Sequence, residues 1–454
     1  MQRVRFRALW NKEFFREFLL ISIPILLGNV MTSSLHIIDN IMVGSLGDLS
    51  LASVAQANQL SFIMRLTLFG LQSGCAIFAA QHWGNNNISG IRRTLGISLI
   101  SATVFTTLIS ILATVFPTQV MRVYILDEEV IALGASYLRM VGPSYLVVGI
   151  SAMYNTTNRA TERVRVNLVA AASGIVTNII LNWCLIFGNL GFPRMEVRGA
   201  ALATAIAACV EACVLVGWTY YKKYPAAGKF KEMIPTSGAF VKSYYRVAVP
   251  VMLNESIWSL GMSAYAAVYG RISTQAVAAM NVFNTVDQVI MAAIFGIMNA
   301  ASVMIGKRIG AGKEAEAYNC ARRMMYMCVA VSVVMGAALF FGRQGLVSIF
   351  NISQEAKVAA MEVMVVAAAA MAIRSFNSVN VVGVLRAGGD AVFSMVLDGG
   401  SIWLIGVPLA ILGGLVLRQP LWVVYLMIQA EEVFKGIVGY KRFRSCKWIN
   451  NLVR

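Results

Sequence analysis

Two stretches decide the fold: residues 18–42, FLLISIPILLGNVMTSSLHIIDNIM, and residues 245–270, YRVAVPVMLNESIWSLGMSAYAAVYG. Each is an apolar run of about 20 residues or more, which is long enough to cross a bilayer as a helix. When the chain is aligned with itself so that Pro24 falls on Pro250, Gly84 falls on Gly310, and no gap is needed in between. Scattered coincidences would not keep one register over such a length, so the sequence predicts a duplicated unit.

Working outward from this pair, we find ten further apolar runs. The chain of 454 residues is 58% hydrophobic and only 13% charged, whereas soluble domains carry about 25% charged residues. This composition excludes a soluble, a disordered and a fibrous protein. The runs are too long and too evenly apolar for barrel strands, so helices are expected. The predicted spans are about 18–42, 54–82, 94–116, 131–153, 164–187, 197–221, 245–270, 277–306, 322–343, 357–385, 391–415 and 419–440.

The fold class is therefore an all-α membrane protein, with twelve transmembrane helices in two pseudo-symmetric six-helix lobes around a central cleft. We expect an N-terminal lobe at 1–221, a cytoplasmic basic linker at 222–244 and a C-terminal lobe with a basic tail at 245–454. Six is an even number, so both copies enter the membrane from the same side. Parallel repeats of this kind are typical of secondary transporters.

Basic residues set the orientation. Of 38 lysines and arginines, 28 are assigned to the N-terminus, the even-numbered loops and the C-terminus, against 7 in the odd-numbered loops. The positive-inside rule then predicts a multi-pass protein of the plasma (inner) membrane with both termini in the cytoplasm. The net charge of +17 is explained by these loops, so the lipid bilayer is the expected partner and nucleic acid is not.

Sequence motifs for catalysis are missing. The chain has no GxxxxGK[ST] phosphate loop, no HExxH or GxSxG motif and no CxxC pair. Its seven cysteines are odd in number and lie mostly in apolar runs, which indicates neither a disulfide framework nor a cysteine metal site. The sequence predicts a protein that is not an enzyme and that needs no cofactor.

Polar side chains within the first span are candidates for function, because ionisable groups are expensive in a membrane. Helical spacing places Asn29, Thr32, His36 and Asp39 on one face. Asp39 is read as a functional carboxylate, with the alternative that it caps the extracellular end of the span. His36 either joins that site or only satisfies a polar neighbour.

Proline interrupts this span and its copy. Pro24 and Pro250 are interpreted as a conformational hinge, because proline removes a backbone hydrogen bond and favours a kink. The alternative is that both are helix-entry prolines near the cytoplasmic face.

Amide and hydroxyl side chains recur in spans five and six. Asn178 and Asn182 stand at i and i+4, and Thr204 follows in the next span. Their oxygens can coordinate Na⁺ or hydrogen-bond a protonated Asp, although such residues also join transmembrane helices to each other.

The second half carries its own intramembrane polar set. Its members are candidates for a substrate cleft or a second polar site: Glu255, Asn284, Asp287, Gln288 and Arg374. A membrane-embedded arginine needs an acidic partner, and Glu255 and Asp398 are the candidates for Arg374. Alternatively Arg374 has a purely structural role.

Three segments carry a family resemblance: IPILLGNVMTSSLHIIDNIMVGSLGDLSLASVA from residue 23, TNIILNW from residue 177 and GVLRAGGD from residue 383. With them the sequence resembles the multidrug and toxic compound extrusion (MATE) transporters over essentially the whole chain. It implies a secondary active exporter of small, cationic or amphipathic drugs or metabolites, driven by inward H⁺ or Na⁺ through alternating access. One chain contains both lobes, so a functional monomer is expected.

The resemblance also implies a cation site. The family's N-lobe site maps onto Asp39, Asn178, Asn182 and Thr204. Some members have an aspartate at the position of Asn182, so the site here carries one charge fewer, which weakens a Na⁺ assignment. The family's second-half glutamate maps onto Glu255.

Two rival functions stay open from sequence. A protein of the same fold could flip lipid-linked saccharides or peptidoglycan precursors. Its cleft should then be basic, whereas carboxylates outnumber basic residues among the intramembrane candidates here. A membrane enzyme or a receptor is the rival of another class. No catalytic constellation supports the enzyme, and no cytoplasmic segment is large enough to be an output domain.

Overall fold

The computed structural model describes residues 12–234, 237–350 and 352–453, without the side chain of His36. Within these ranges the chain is almost entirely helical and contains no strand, as the sequence predicts. The α-helices are α1 (Lys12–Gly44), α2 (Asp48–Gly84), α3 (Ile88–Val115), α4 (Pro117–Tyr124), α5 (Glu128–Val141), α6 (Ser144–Ala160), α7 (Val164–Phe187), α8 (Glu196–Tyr221), α9 (Phe230–Met233), α10 (Gly238–Ile272), α11 (Thr274–Gly310), α12 (Glu314–Ser348), α13 (Gln354–Ser378), α14 (Ala391–Ser401), α15 (Val407–Ile411) and α16 (Leu421–Arg444).

Each of the twelve predicted spans coincides with one helix or with helical segments in succession. Among the described residues, nine helices are long and apolar enough to cross a membrane, and α5 with α6 forms a tenth span bent by 52°. The two remaining spans, α10 and α16, are more polar. Three π-helical segments, Val379–Arg386, Ile402–Gly406 and Leu412–Val416, continue or interrupt the helices of spans ten and eleven.

The duplication predicted from sequence is visible in the helix boundaries. In the alignment that places Pro24 on Pro250, helices α2 and α11 begin and end at matching positions. Helices α3 and α12 also begin at matching positions. Shared boundaries over several helices follow from a shared pattern of apolar runs and turns, so the two halves are copies of one six-helix unit.

The chain divides into two compact units. The first-half unit comprises Ile23–Ala248, and the second-half unit comprises the chain up to Ser22 with Val249–Arg454. Both borders lie inside helices, in α1 and α10, within two residues of Pro24 and Pro250. Each proline is the thirteenth residue of its helix. Both are therefore helix-interior and not helix-entry prolines. An interior proline leaves a carbonyl without its helical donor, which favours a kink, and the role of the two prolines as a hinge stays a prediction.

Large apolar side chains lie both inside the units and on their surfaces. In the second-half unit, Phe283 and Tyr425 pack edge to face at 5.4 Å within the buried core. On the outside, Ile41 is 66% and Leu404 is 79% exposed. Exposed apolar surface of this extent is unfavourable in water, so it is the surface that lipid covers.

The basic linker is fixed to the first-half unit by α9. Met233 is buried, and its carbonyl oxygen occupies the space that a side chain at residue 96 would need, which explains Gly96. Arg92 of α3 forms an ion pair with Glu232 at 3.0 Å. The described part of the linker is therefore a packed segment and not a free loop.

Candidate functional site

The first-half unit brings four predicted residues together in one hydrogen-bonded chain. Asn182 donates from Nδ2 to Asp39 Oδ1 at 2.6 Å and to Asn178 Oδ1 at 2.8 Å. Asn178 donates from Nδ2 to Thr204 Oγ1 at 3.4 Å. These hydrogen bonds connect α1, α7 and α8 through side chains alone.

Helix geometry explains how these side chains meet. Asn178 and Asn182 are one turn apart on α7 and are each only 1% exposed, so both face α8 and the interior. Helices α7 and α8 approach closely because Gly199 packs against the carbonyl of Leu185. Thr204 is held by its own helix, since its hydroxyl donates to the carbonyl of Ala200 at 2.9 Å.

A fifth side chain completes this cluster, and sequence reasoning missed it. Tyr137 of α5 is 5% exposed and lies close to Thr204 and Asp39. A tyrosine inside an apolar span resembles ordinary core packing in the sequence, so no local signal distinguishes it. Its phenol adds a donor and acceptor beside the carboxylate.

The chemistry open to this cluster is reversible binding of a small cation. Asp39 is the one ionisable carboxylate in it, and Asn182 Oδ1 is buried without a hydrogen-bond partner. Carboxylate, amide and hydroxyl oxygens are hydrogen-bond acceptors and fit either a proton with water or Na⁺. Nδ2 of Asn182 donates one hydrogen bond to Asp39 Oδ1, and this bond is stronger when the carboxylate is charged.

Arg374 has a different partner from those predicted. It forms a two-point ion pair with Asp287, with Nη1–Oδ1 at 3.1 Å and Nη2–Oδ2 at 3.0 Å. The expectation that Glu255 or Asp398 would serve is wrong. Helices α11 and α13 are neighbours, so the pair forms between adjacent helices, and Glu255 and Asp398 are engaged elsewhere.

Glu255 belongs to a buried ionic network around Arg386. Arg386 Nη1 is 2.7 Å from Glu255 Oε1, and its Nη2 is 4.0 Å from Asp398 Oδ2. The arginine side chain is only 2% exposed. It lies at the end of the π-helical segment Val379–Arg386, directly before the turn to α14.

Lys435 of α16 extends this network. Its ammonium lies 2.8 Å from Glu432, 3.1 Å from Glu431 and 3.3 Å from Asp398. Four carboxylates thus share two cations, and neutral donors support three of them. These donors are Tyr265 to Glu431 at 2.5 Å, Asn377 to Glu432 at 2.6 Å and Asn254 to Asp398 at 3.1 Å.

The network could have been found from the sequence by the rule applied to the first span. Glu431, Glu432 and Lys435 all lie in predicted span twelve, and Arg386 follows span ten. Lys435 was counted with the cytoplasmic charges, but the structure places it 5% exposed inside the unit. The count of basic residues on that side is therefore one too high, and its large excess is unchanged.

The other predicted residues are not part of either cluster. Asn284 and Gln288 lie on α11, the helix that carries Asp287, and both are exposed. The side chain of His36 lies outside the described part of the structure. Pro24 and Pro250 are helix-interior residues at the borders of the two units.

Comparison with known proteins finds one family. The family model described as MatE matches residues 24–184 and 250–412, once in each half. A probable multidrug resistance protein NorM of Thermotoga maritima is 22% identical over 444 residues, which cover 96% of this chain and 93% of that protein. These matches extend over both six-helix units.

Solved structures share the fold. A mutant of the Vibrio cholerae MATE transporter VcmN superposes with a TM-score of 0.88 at 15% identity, covering 97% of this chain and 98% of that one. A MOP superfamily transporter from Pyrococcus furiosus, whose binding pocket is described as reversed in polarity, gives 0.86 at 19% identity over 98% of both chains.

Proposed function

Since this chain belongs to the MatE family of multi-pass membrane transporters, we propose that it exports small amphipathic, mainly cationic molecules in exchange for protons. The relative from Thermotoga maritima, named a probable multidrug resistance protein, supports export of drugs. The protein works as a monomer in the plasma membrane, with both termini in the cytoplasm. The excess of basic residues on the predicted cytoplasmic side supports this orientation.

The observation that carries the proposal is the contact between Asp39 and Asn182 at 2.6 Å. It places a carboxylate on α1, at the centre of a polar cluster from α7 and α8, inside a helical unit of a transporter family. An intramembrane carboxylate held by neutral donors can gain and lose a proton as its surroundings change.

Coupling follows from the charge of Asp39. When Asp39 is ionised, the Nδ2–H of Asn182 makes a charge-assisted hydrogen bond and holds α1 against α7. Protonation weakens that bond, so α1 can move at Pro24, where a backbone hydrogen bond is already missing. The conformation with high substrate affinity and the protonated conformation then compete, and inward protons drive outward substrate.

Proton coupling is favoured over Na⁺ by the amide orientations. Nδ2 of Asn182 faces Asp39, so the amide presents hydrogens to the carboxylate. A sodium ion bound beside Asp39 would need amide oxygens in that place. Asp39 is also the one carboxylate of the cluster, so a Na⁺ ion would have no second anionic ligand there.

The second-half residues have a separate proposed role. Glu255 and Asp287 are each paired with an arginine, so their charges are compensated within the unit. Asn284 and Gln288, on the same helix as Asp287, are neutral and more accessible, so they are the better candidates for direct substrate contact. Glu255 and Arg374 act by holding the helices of this unit in place.

Efflux from proteoliposomes tests this function. A fluorescent cationic dye is loaded, and export is measured under a proton gradient alone and under a sodium gradient alone, for the wild type and for Asp39→Asn. We expect export under the proton gradient and its loss in Asp39→Asn. Asp48→Asn, at an exposed carboxylate at the start of α2, is the matched control and should export normally.

Three outcomes would contradict the proposal. Export driven only by sodium would replace the proton with Na⁺ as the coupling ion. Proton-driven export that survives in Asp39→Asn would move the coupling site away from Asp39. No export of any dye under either gradient would reject drug export as the function.

A further inference from the structure

Helix α8 carries Glu211, an intramembrane carboxylate that is not part of the Asp39 cluster. Glu211 lies two turns beyond Thr204, towards the end of the unit predicted to face the cytoplasm. It forms no hydrogen bond and no ion pair with any residue that the structure describes. A carboxylate within a membrane span costs free energy, so its presence without a partner indicates a function.

Glycine on the facing helix makes room for this carboxylate. A Cβ atom at Gly174 of α7 would lie 3.1 Å from Glu211 Cβ and 3.3 Å from its Oε2. The Glu211 side chain therefore lies against α7, where it is half-buried. No charged side chain of the described helices α5, α6 or α7 compensates it.

Glu211 stands in a file of polar positions along the interface of α7 and α8. Four positions of α7 lie on one helix face, because they are separated by four, four and seven residues: Asn182, Asn178, Gly174 and Asn167. On α8, Glu211 stands seven residues after Thr204 and eight before Thr219, again on one face. We name these positions the α7–α8 polar file.

The file continues beyond Glu211 to the ends of the helices. Asn167 donates to the carbonyl of Asn155 at 2.8 Å, and Asn158 donates to Thr219 Oγ1 at 2.8 Å. The buried amide oxygens of Asn158, Asn167 and Asn182 in this part of the unit lack any partner among the described residues. Buried polar atoms of this kind are satisfied by water, so the file has acceptors for water both above and below Glu211.

Distances along α8 show why a carboxylate is needed there. At about 1.5 Å rise per residue, Glu211 is about 10 Å from Thr204 and about 12 Å from Thr219. Without Glu211, a proton would have to cross about 22 Å between those two hydroxyls with no carboxylate of α8 between them. Glu211 divides this distance into two parts that short chains of water can bridge.

The duplicated unit shows that the fold does not require an acid at this position. In the alignment that places Pro24 on Pro250, Glu211 falls on Ile437, and the neighbours of Ile437 are Gly436 and Val438. None of these three is ionisable, and the acids of α16, Glu431 and Glu432, stand earlier in the helix and are paired with Lys435. The duplicated fold therefore does not require an acid at the position of Glu211.

We propose that Glu211 carries the proton between Asp39 and the cytoplasmic end of the α7–α8 polar file. The inference rests on the proton-driven export proposed above. Protonated Asp39 releases its proton to water, and the Glu211 carboxylate accepts it. Glu211 then releases the proton through water held by the amides of Asn158 and Asn167, and both carboxylates return to their charged form.

The test compares Glu211→Gln with the wild type in two assays on the full chain in proteoliposomes. Export of dye under a proton gradient requires net proton movement, whereas exchange of labelled for unlabelled dye at equal pH does not. We expect Glu211→Gln to slow gradient-driven export by about tenfold or more and to leave exchange and dye binding unchanged. Glu362→Gln, at an acid of α13 outside both clusters, is the control and should match the wild type in both.

Each outcome separates this inference from the proposed function. If the wild type shows no proton-driven export, the proposed function fails first. If the wild type exports and Glu211→Gln is equally fast, Glu211 is not a proton carrier. Loss of dye binding together with export would make Glu211 a substrate-binding residue and overturn the inference.

Glu211→Asp provides a second variant should the glutamine variant fold poorly. It keeps an acid but shortens the side chain by one methylene. We expect export that is slowed yet faster than in Glu211→Gln, with a changed dependence of rate on pH. A rate and a pH profile equal to those of the wild type would overturn the inference.

Discussion

Replacing Arg386 with methionine removes the cation that neutralises Glu255. The two side chains meet at 2.7 Å, and they are 2% and 14% exposed, so water cannot replace the arginine. Asp398 keeps Lys435 at 3.3 Å, but Glu255 has no second cation among the described residues. Breaking a buried ion pair on one side costs about 3–5 kcal/mol, and we expect Arg386→Met to lower the free energy of unfolding by that amount.

The double variant measures the pair itself. When Glu255→Leu is added to Arg386→Met, the unpaired carboxylate is removed as well, and replacement of a whole buried pair by apolar residues is often nearly neutral. We therefore expect the double variant to recover most of the loss, which gives a coupling energy of about 2–3 kcal/mol in the mutant cycle. The assay is equilibrium unfolding of the purified protein in mixed micelles, followed by circular dichroism.

Two results would refute this reasoning. If Arg386→Met lowered the free energy of unfolding by less than about 1 kcal/mol, the pair would contribute no more than a solvent-exposed ion pair does. Additive effects in the double variant would show that Arg386 does not depend on Glu255.

Three further predictions concern other parts of the molecule. Asn182→Asp places a second carboxylate where an amide contacts Asp39 at 2.6 Å, and we expect sodium affinity to rise by about tenfold or more, measured by sodium-driven dye export. Gly96→Ala forces a methyl group against the carbonyl of Met233. We expect it to destabilise the packing of the basic linker by about 1–3 kcal/mol, so that trypsin cleaves the linker faster. Trp448→Ala empties a site that is 0% exposed and should lower the unfolding free energy by about 3–5 kcal/mol.

Matched variants control these measurements. Gly217→Ala adds a methyl group with no atom within 4 Å and should not change cleavage of the linker. Trp422→Ala removes a ring that is already 37% exposed and should cost much less than Trp448→Ala. A sodium response in Asn182→Asp equal to that of the wild type, or equal losses from the two tryptophans, would contradict the corresponding prediction.

The spans were predictable because hydropathy is a local property. Span five was predicted at 164–187, and α7 begins at Val164 and ends at Phe187. The bend of 52° between α5 and α6 was not predicted, although Pro143 lies within that break. A run of apolar residues shows that a helix crosses the membrane, but it does not show whether the helix is straight.

The Asp39 cluster was predicted from spacing together with a family resemblance. Spacing placed Asn178 and Asn182 on one face of a helix, and the structure brings that face to Asp39. The roles assigned to these residues stay predictions until transport is measured. Tyr137 was missed, because a buried tyrosine carries no signal that separates a site from a core.

By itself the sequence determined the class of protein, the approximate positions of its spans and the duplication, because each follows from apolar length and from a register that can be read along one chain. Only the tertiary structure decided which charges meet. It paired Arg374 with Asp287, gave Glu255 to Arg386 and left Glu211 alone against Gly174. A partner is chosen by which helices are neighbours and how each is rotated about its axis, and residues far apart in the chain carry no record of that in their spacing.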